Sequence, residues 1–170
     1  MSHMFYECNS LTNLDLSCWN AHNVLNTYEM FYNCHNLTHL NLSNWSFAEY
    51  ADISSMFKNC SKLNILILTN WNVSNVLNMN QTFKGCCSLT SLDLSKWNVG
   101  EVQTMTSMFE RCISLTSLNI SNWDVSNVLN MNSMFAECIN LMNINTLNWN
   151  MINLVDDKYM FYKCSKLLVK

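Results

Sequence analysis

Seven phenylalanines recur every 26 residues without a slip: Phe5, Phe31, Phe57, Phe83, Phe109, Phe135 and Phe161. Three residues after each stands a cysteine, from Cys8 through Cys34, Cys60, Cys86, Cys112 and Cys138 to Cys164. A tryptophan column keeps the same period: Trp19, Trp45, Trp71, Trp97, Trp123 and Trp149. Self-similarity at one fixed period restricts the chain to a stacked repeat architecture. A single unit cannot bury its own apolar face, so each must be covered by the next.

The unit from Leu89 to Ser114 shows the expected course of one turn. It opens LTSLDLSKW, in which Leu92 and Leu94 are two apart and share one face of a strand, while Ser91, Asp93 and Ser95 point the other way. The same strand pattern recurs as LTNLDLS, LTHLNLS, LNILILT and LTSLNIS, and in degraded form as LMNINTL. In the second half Val102, Met105, Met108, Phe109 and Cys112 follow at spacings of three and four, which predicts a short helix or loose helical turns. Asn, Ser or Asp at the positions equivalent to Asn98 suits a turn or helix entry. The Trp indole should close the turn after the strand, with its N–H on a corner carbonyl. The expected fold is an α/β solenoid, leucine-rich-repeat-like, with one parallel β-strand and one short helical segment per 26-residue coil and a single continuous parallel sheet. Residues 1–3 precede the first in-register Met4 and read as an expression scar; residues 4–170 form one solenoid domain of about six and a half repeats. At the C-terminal end, Asp157 stands where Met79, Met105 and Met131 are found, which reads as a partial cap.

Composition narrows the function classes. Net charge is −3 and charged residues are only 12%, with a basic concentration confined to Lys158, Lys163, Lys166 and Lys170; no broad basic surface is available for nucleic acid. No apolar run approaches the ~20 residues of a membrane helix, so no membrane insertion is expected. Proline is absent and glycine occurs twice, so Asn takes the corner positions.

The pattern L-x-x-L-x-L-S-x-W-(N/D)-V-S-N-V-x-x-M-x-x-M-F-x-x-C, best kept at 92–112 and 118–138, resembles the 26-residue repeat of BspA-like bacterial surface proteins. Similar repeats occur in Listeria and Bacteroides surface lipoproteins and in a mycoplasma family of unknown function. The resemblance implies a leucine-rich-repeat solenoid on cell surfaces, engaged in adhesion or protein binding. It supplies no catalytic residues.

The residues themselves suggest no catalytic, cofactor-binding or metal site. Nine cysteines at one per coil, with Cys18 and Cys87 extra, read as buried free thiols and not as a disulfide framework, and there is no C-x-x-C. The outward strand positions are the binding candidates: His39 and Asn41, Ile65 and Ile67, Ser91 and Asp93. Ile65 and Ile67 interrupt an otherwise small, polar surface, and are either a contact site or tolerated drift in a strand of good β-propensity. The row Ser17, Ser43, Thr69, Ser95 and Ser121 either faces a regular ligand or caps the corner. The expected function is a non-enzymatic protein-binding or adhesion module, taking a host or cell-surface component on its sheet face. The alternative is a structural or self-assembling scaffold that forms homo-oligomers through its solenoid ends. The expected location is the cell surface or outside the cell, with the cytoplasm as the other possibility.

Overall fold

The computed structural model describes residues 1–168. The chain winds as a parallel β-solenoid. A front sheet is built from β1 (Asn13–Asp15), β3 (His39–Asn41), β5 (Ile65–Ile67), β7 (Ser91–Asp93) and β8 (Ser117–Asn119). A second sheet holds β2 (Val24–Asn26), β4 (Phe47–Asp52) and β6 (Val76–Asn78), and single bridges carry it on through Thr104, Asn130 and Asp156. Front strands pair in register at the repeat period, Leu14 with Leu40 and Leu40 with Leu66. Their alternation is the expected one: the central leucines turn inward and their neighbours face solvent.

Two expectations need correction. First, no helix is found among the described residues, and hence none long and apolar enough to cross a membrane. The segment holding each Met-Phe-x-x-Cys is a run of tight turns. Two residues per coil adopt positive φ: Glu29 and Asn33, Ser55 and Asn59, Gln81 and Gly85, Ser107 and Arg111, and so on at the repeat period. Such residues cannot continue a right-handed helix. The amides between them bond the next coil instead, Phe31 N to Met56 O at 2.9 Å and Asn33 N to Lys58 O at 2.9 Å, while i→i−3 bonds such as Cys34 N to Phe31 O close each turn. Second, the front sheet is not one continuous sheet: β1-β3-β5 and β7-β8 are separate, with no pairing between β5 and β7.

The core is the set of repeat columns. Consecutive Phe rings stack at 5.1 to 5.9 Å with planes within 16° of parallel. Trp rings stack similarly, Trp45 on Trp71 at 6.4 Å and Trp71 on Trp97 at 5.7 Å. The column cysteines are free, and from Cys34 onward each thiol donates to the Phe carbonyl of the coil before: Cys60 to Phe31 at 3.1 Å, Cys86 to Phe57 at 3.1 Å, Cys112 to Phe83 at 3.2 Å. A thiol is small enough for this slot and gives a second donor to a carbonyl that already accepts the amide of its own turn, Cys34 N on Phe31 O and Cys60 N on Phe57 O. Indole N–H groups do the same at the other corner, Trp71 to Leu42 O at 2.6 Å and Trp123 to Leu94 O at 3.0 Å, whereas the buried Trp45 and Trp149 Nε1 atoms have no partner. His3 lies at the front of the same ladder: its amide bonds Tyr28 O at 3.0 Å, and its ring meets Glu29 at 3.1 Å.

Candidate binding surface

Asn is abundant because three corners of each coil are made by its side chain. After the front strand, Asp15 accepts from Ser17 N at 2.9 Å, Asn41 from Ser43 N at 3.1 Å and Asp93 from Ser95 N at 3.0 Å. The next corner uses Asn72, Asn98 and Asp124, and the third Asn26, Asp52, Asn78 and Asn130. Each is a side-chain mimic of a backbone turn. The row at Ser43 and Ser121 belongs to this corner: both hydroxyls donate to the Asn two residues earlier, at 2.7 and 3.0 Å. Hydrogen bonds from the hydroxyl and amide of Ser17 hold the Asp15 carboxyl below its ordinary pKa, and Ser95 does the same for Asp93. Both are ionised at neutral pH and engaged within the turn.

The six candidate residues all lie on the front face. His39, Ser91 and Asp93 are exposed and Asn41 is half-buried. Thr38 Oγ1 lies 3.1 Å from His39 Nδ1 and also donates to Thr12 O at 3.0 Å. Ile65 and Ile67 stand 42% and 39% exposed, a wide apolar surface on a face otherwise made of small polar groups. With Leu14, Leu40, Asp15 and His39 they line an open depression of about 360 Å³ across the first three coils. Ile67 has a further consequence. It occupies the column of Asp15, Asn41, Asp93 and Asn119, where the side chain folds the corner and also reaches its neighbour, Asp15 to Asn41 and Asp93 to Asn119. Ile67 can do neither. Lys96 likewise interrupts the column in which Asn70 donates to Asn44 at 2.9 Å. The two departures flank the break between β5 and β7, so Ser91 and Asp93 lie across that break from Ile65 and Ile67.

One surface feature is absent from the sequence reading. In the second coil β4 bulges: Val24 pairs with Phe47 and Asn26 with Asp52, while Ala51 pairs with Val76. Tyr50, at φ 60°, is thrown outward and left 73% exposed beside Glu49 and Glu101. The signal was present: SFAEYAD replaces the NVSNVLN of the next coil, and Tyr50 stands where Val24, Val76, Val102 and Val128 are buried. At the C-terminal end Asp157 is exposed but does not cap: Leu147, Ile152 and Val155 are 78%, 80% and 84% exposed, and Phe161 is 37% exposed.

A family model described as "Mycoplasma protein of unknown function, DUF285" matches residues 1–90 and 52–169. Among solved structures, a leucine-rich repeat protein from Bacteroides ovatus ATCC 8483 is similar over 95% of this chain, with 22% identity and a TM-score of 0.52. The match takes in 41% of that protein, so this chain spans about two-fifths of its length. None of the curated proteins matches. The two similarities agree with the BspA-like resemblance of the repeat and with a leucine-rich-repeat solenoid.

Proposed function

We propose, for a chain that belongs to the DUF285 family of Mycoplasma proteins of unknown function, that it is a non-enzymatic binding module of surface-protein type. Its front face takes a protein partner, a host or cell-surface component. The observation that carries this reading is the pair Ile65 and Ile67, exposed side by side over a depression on a polar sheet face. A solenoid presents such a face as a rigid, extended platform, and exposed apolar side chains in a polar field mark contact sites. His39, Asn41, Ser91 and Asp93 frame the pair and would supply the polar rim. Ile65→Asp and Ile67→Asp are expected to lower partner affinity by about 10-fold or more each, since burying an unpaired carboxylate outweighs a lost contact. Calorimetry with the partner checks this, and unchanged affinity eliminates the face. Both positions point to solvent, so the variants should remain folded.

A second reading has its own observation. The last coil leaves Leu147, Ile152, Val155 and Phe161 exposed, and Phe161 lines a depression of about 330 Å³ with Trp149, Met151 and Met160. Such a surface suits end-to-end stacking into a scaffold. Light scattering over a concentration series separates the two: a discrete monomer or dimer supports the binding module, and open-ended growth supports assembly.

A further inference from the structure

The break in the front sheet separates β5 from β7. No Cα of β5 lies within 8 Å of a Cα of β7, against a normal strand spacing of ~4.8 Å. One strand inserted between two others needs two spacings, ~9.6 Å. The lips of the opening carry backbone groups that every neighbouring coil uses. Thr38 N bonds Thr12 O at 2.8 Å and Thr116 N bonds Thr90 O at 2.9 Å; Leu16 N bonds Asn41 O at 2.8 Å and Leu94 N bonds Asn119 O at 2.9 Å. Among the described residues the equivalent bonds from Thr90 N to Asn64 O and from Leu68 N to Asp93 O are missing. Between the lips lies a depression of about 360 Å³ with an apolar floor of Leu66, Leu68, Trp71, Leu92, Leu94 and Trp97. Leu66 and Leu68 are half-buried there, whereas Leu40, Leu42, Leu118 and Ile120 are buried in intact parts of the sheet. Behind the opening the coils remain joined, Gly85 N to Glu110 O at 2.8 Å and Gln103 N to Leu77 O at 3.0 Å.

We infer that this slot receives an extended segment of a partner polypeptide, which adds one short parallel or antiparallel strand between β5 and β7. The lips stand further apart than one strand spacing, and their unpaired amides and carbonyls recognise backbone; side-chain pockets then give selectivity. The flanking strands are three residues long, so the inserted stretch is of that order. Because the slot is closed behind, the segment enters from the front as a chain end or loop tip. A coil of a second copy, already bonded into its own sheet, does not fit. The inward residue of the segment meets the leucine floor and is aliphatic; its outward neighbours lie beside Ile67 and Asp93 and are small and uncharged. Lys96 and Asp93 at the mouth balance one another in charge.

The probe is the capped hexapeptide acetyl-Thr-Ser-Leu-Thr-Leu-Ser-amide, with the same peptide N-methylated at alternate residues as its control. Amide hydrogen exchange of the whole protein reads residues 64–69 and 90–95. The hexapeptide at millimolar concentration is expected to slow lip amides by about tenfold or more, and the N-methylated peptide to leave them unchanged. Ile67→Asn with Lys96→Asn restores both polar columns, and is expected to close the slot: the lip amides become protected without peptide, and the peptide no longer binds. Lip amides already protected in the unmodified protein, equal protection by the N-methylated peptide, or no protection at millimolar peptide would each overturn the inference. The inference rests on the front face being the partner surface, yet the two fail separately. A partner sensitive to Ile65→Asp that leaves lip exchange unchanged overturns strand insertion alone.

Discussion

Raising the pH from about 8 to about 10.5 is expected to destabilise the protein, because the fold keeps its cysteine column protonated after the unfolded chain has begun to release those protons. Burial lifts the Cys138 thiol to about 12 from an ordinary value of 9.0. It pushes Cys60, Cys86 and Cys112 well up in the same direction. Above pH 9 the unfolded chain releases these protons and the folded chain keeps them. The stabilising margin is therefore whole below pH 9 and falls as the pH rises toward the folded values. Stability therefore declines above pH 9 by up to about 1.4 kcal/mol per pH unit for each thiol that the fold keeps protonated. Against a total stability of roughly 5–15 kcal/mol, such a decline lowers the unfolding midpoint measurably. Urea unfolding at stepped pH checks this, and a midpoint flat between about pH 8 and 10.5 would refute it. Cys86→Ser keeps a donor toward Phe57 O and should remove one thiol's share of the slope. The same protonation makes the column unreactive: a thiol reagent applied to the native protein should consume Cys18 and Cys87 and spare Cys60, Cys86 and Cys112 until denaturant is added.

The second large effect is expected at the aromatic spine. Phe83 is fully buried and stacked on both sides, at 5.4 Å to Phe57 and 5.3 Å to Phe109. Phe83→Ala should cost about 3–5 kcal/mol, the range for deleting a buried aromatic side chain. Phe161 stacks on one side only and is 37% exposed, so Phe161→Ala should cost less than half as much. In a solenoid the loss acts on the interfaces of one coil. Hydrogen exchange in Phe83→Ala should therefore quicken first in the coils on either side of the lesion. Equal costs at the two positions would mean that stacking is not what the column contributes.

The sequence showed the columns but not their hydrogen bonds. Phe, Trp and Cys of the inner coils, from Phe31 to Cys138, are buried where the 26-residue period places them, and the outward positions of β1, β3, β5, β7 and β8 are turned away from that core as the two-residue alternation requires. The helix expected over Val102 to Cys112 failed because spacings of three and four also arise from consecutive i→i−3 turns. What separates the cases is where each amide goes. Phe109 N bonds Met134 O, 25 residues ahead, and no pattern within one coil reveals that. Asn33, Asn59 and Gly85 in one positive-φ column were the available hint. Ile65 and Ile67 were legible as departures on the candidate face. The opening beside them was not, because it depends on Ile67 and Lys96 together cutting two side-chain ladders that become visible only once coils are stacked. Tyr50 was missed because a bulge is a change of register, and the second coil keeps its length while shifting its pairing.

The recurring bonds between coils keep fixed separations along the chain: 25 residues for Phe31 N to Met56 O, 26 for Asn59 to Asn33, 29 for the column thiols and the bonded indoles. Loss of one residue inside a coil would misalign all of these partners at once. Excision or duplication of a whole unit recreates each separation across the new joint. The rod can therefore change length only in quanta of 26 residues, and a gene for it can grow or shrink by recombination between units without inventing a single new contact.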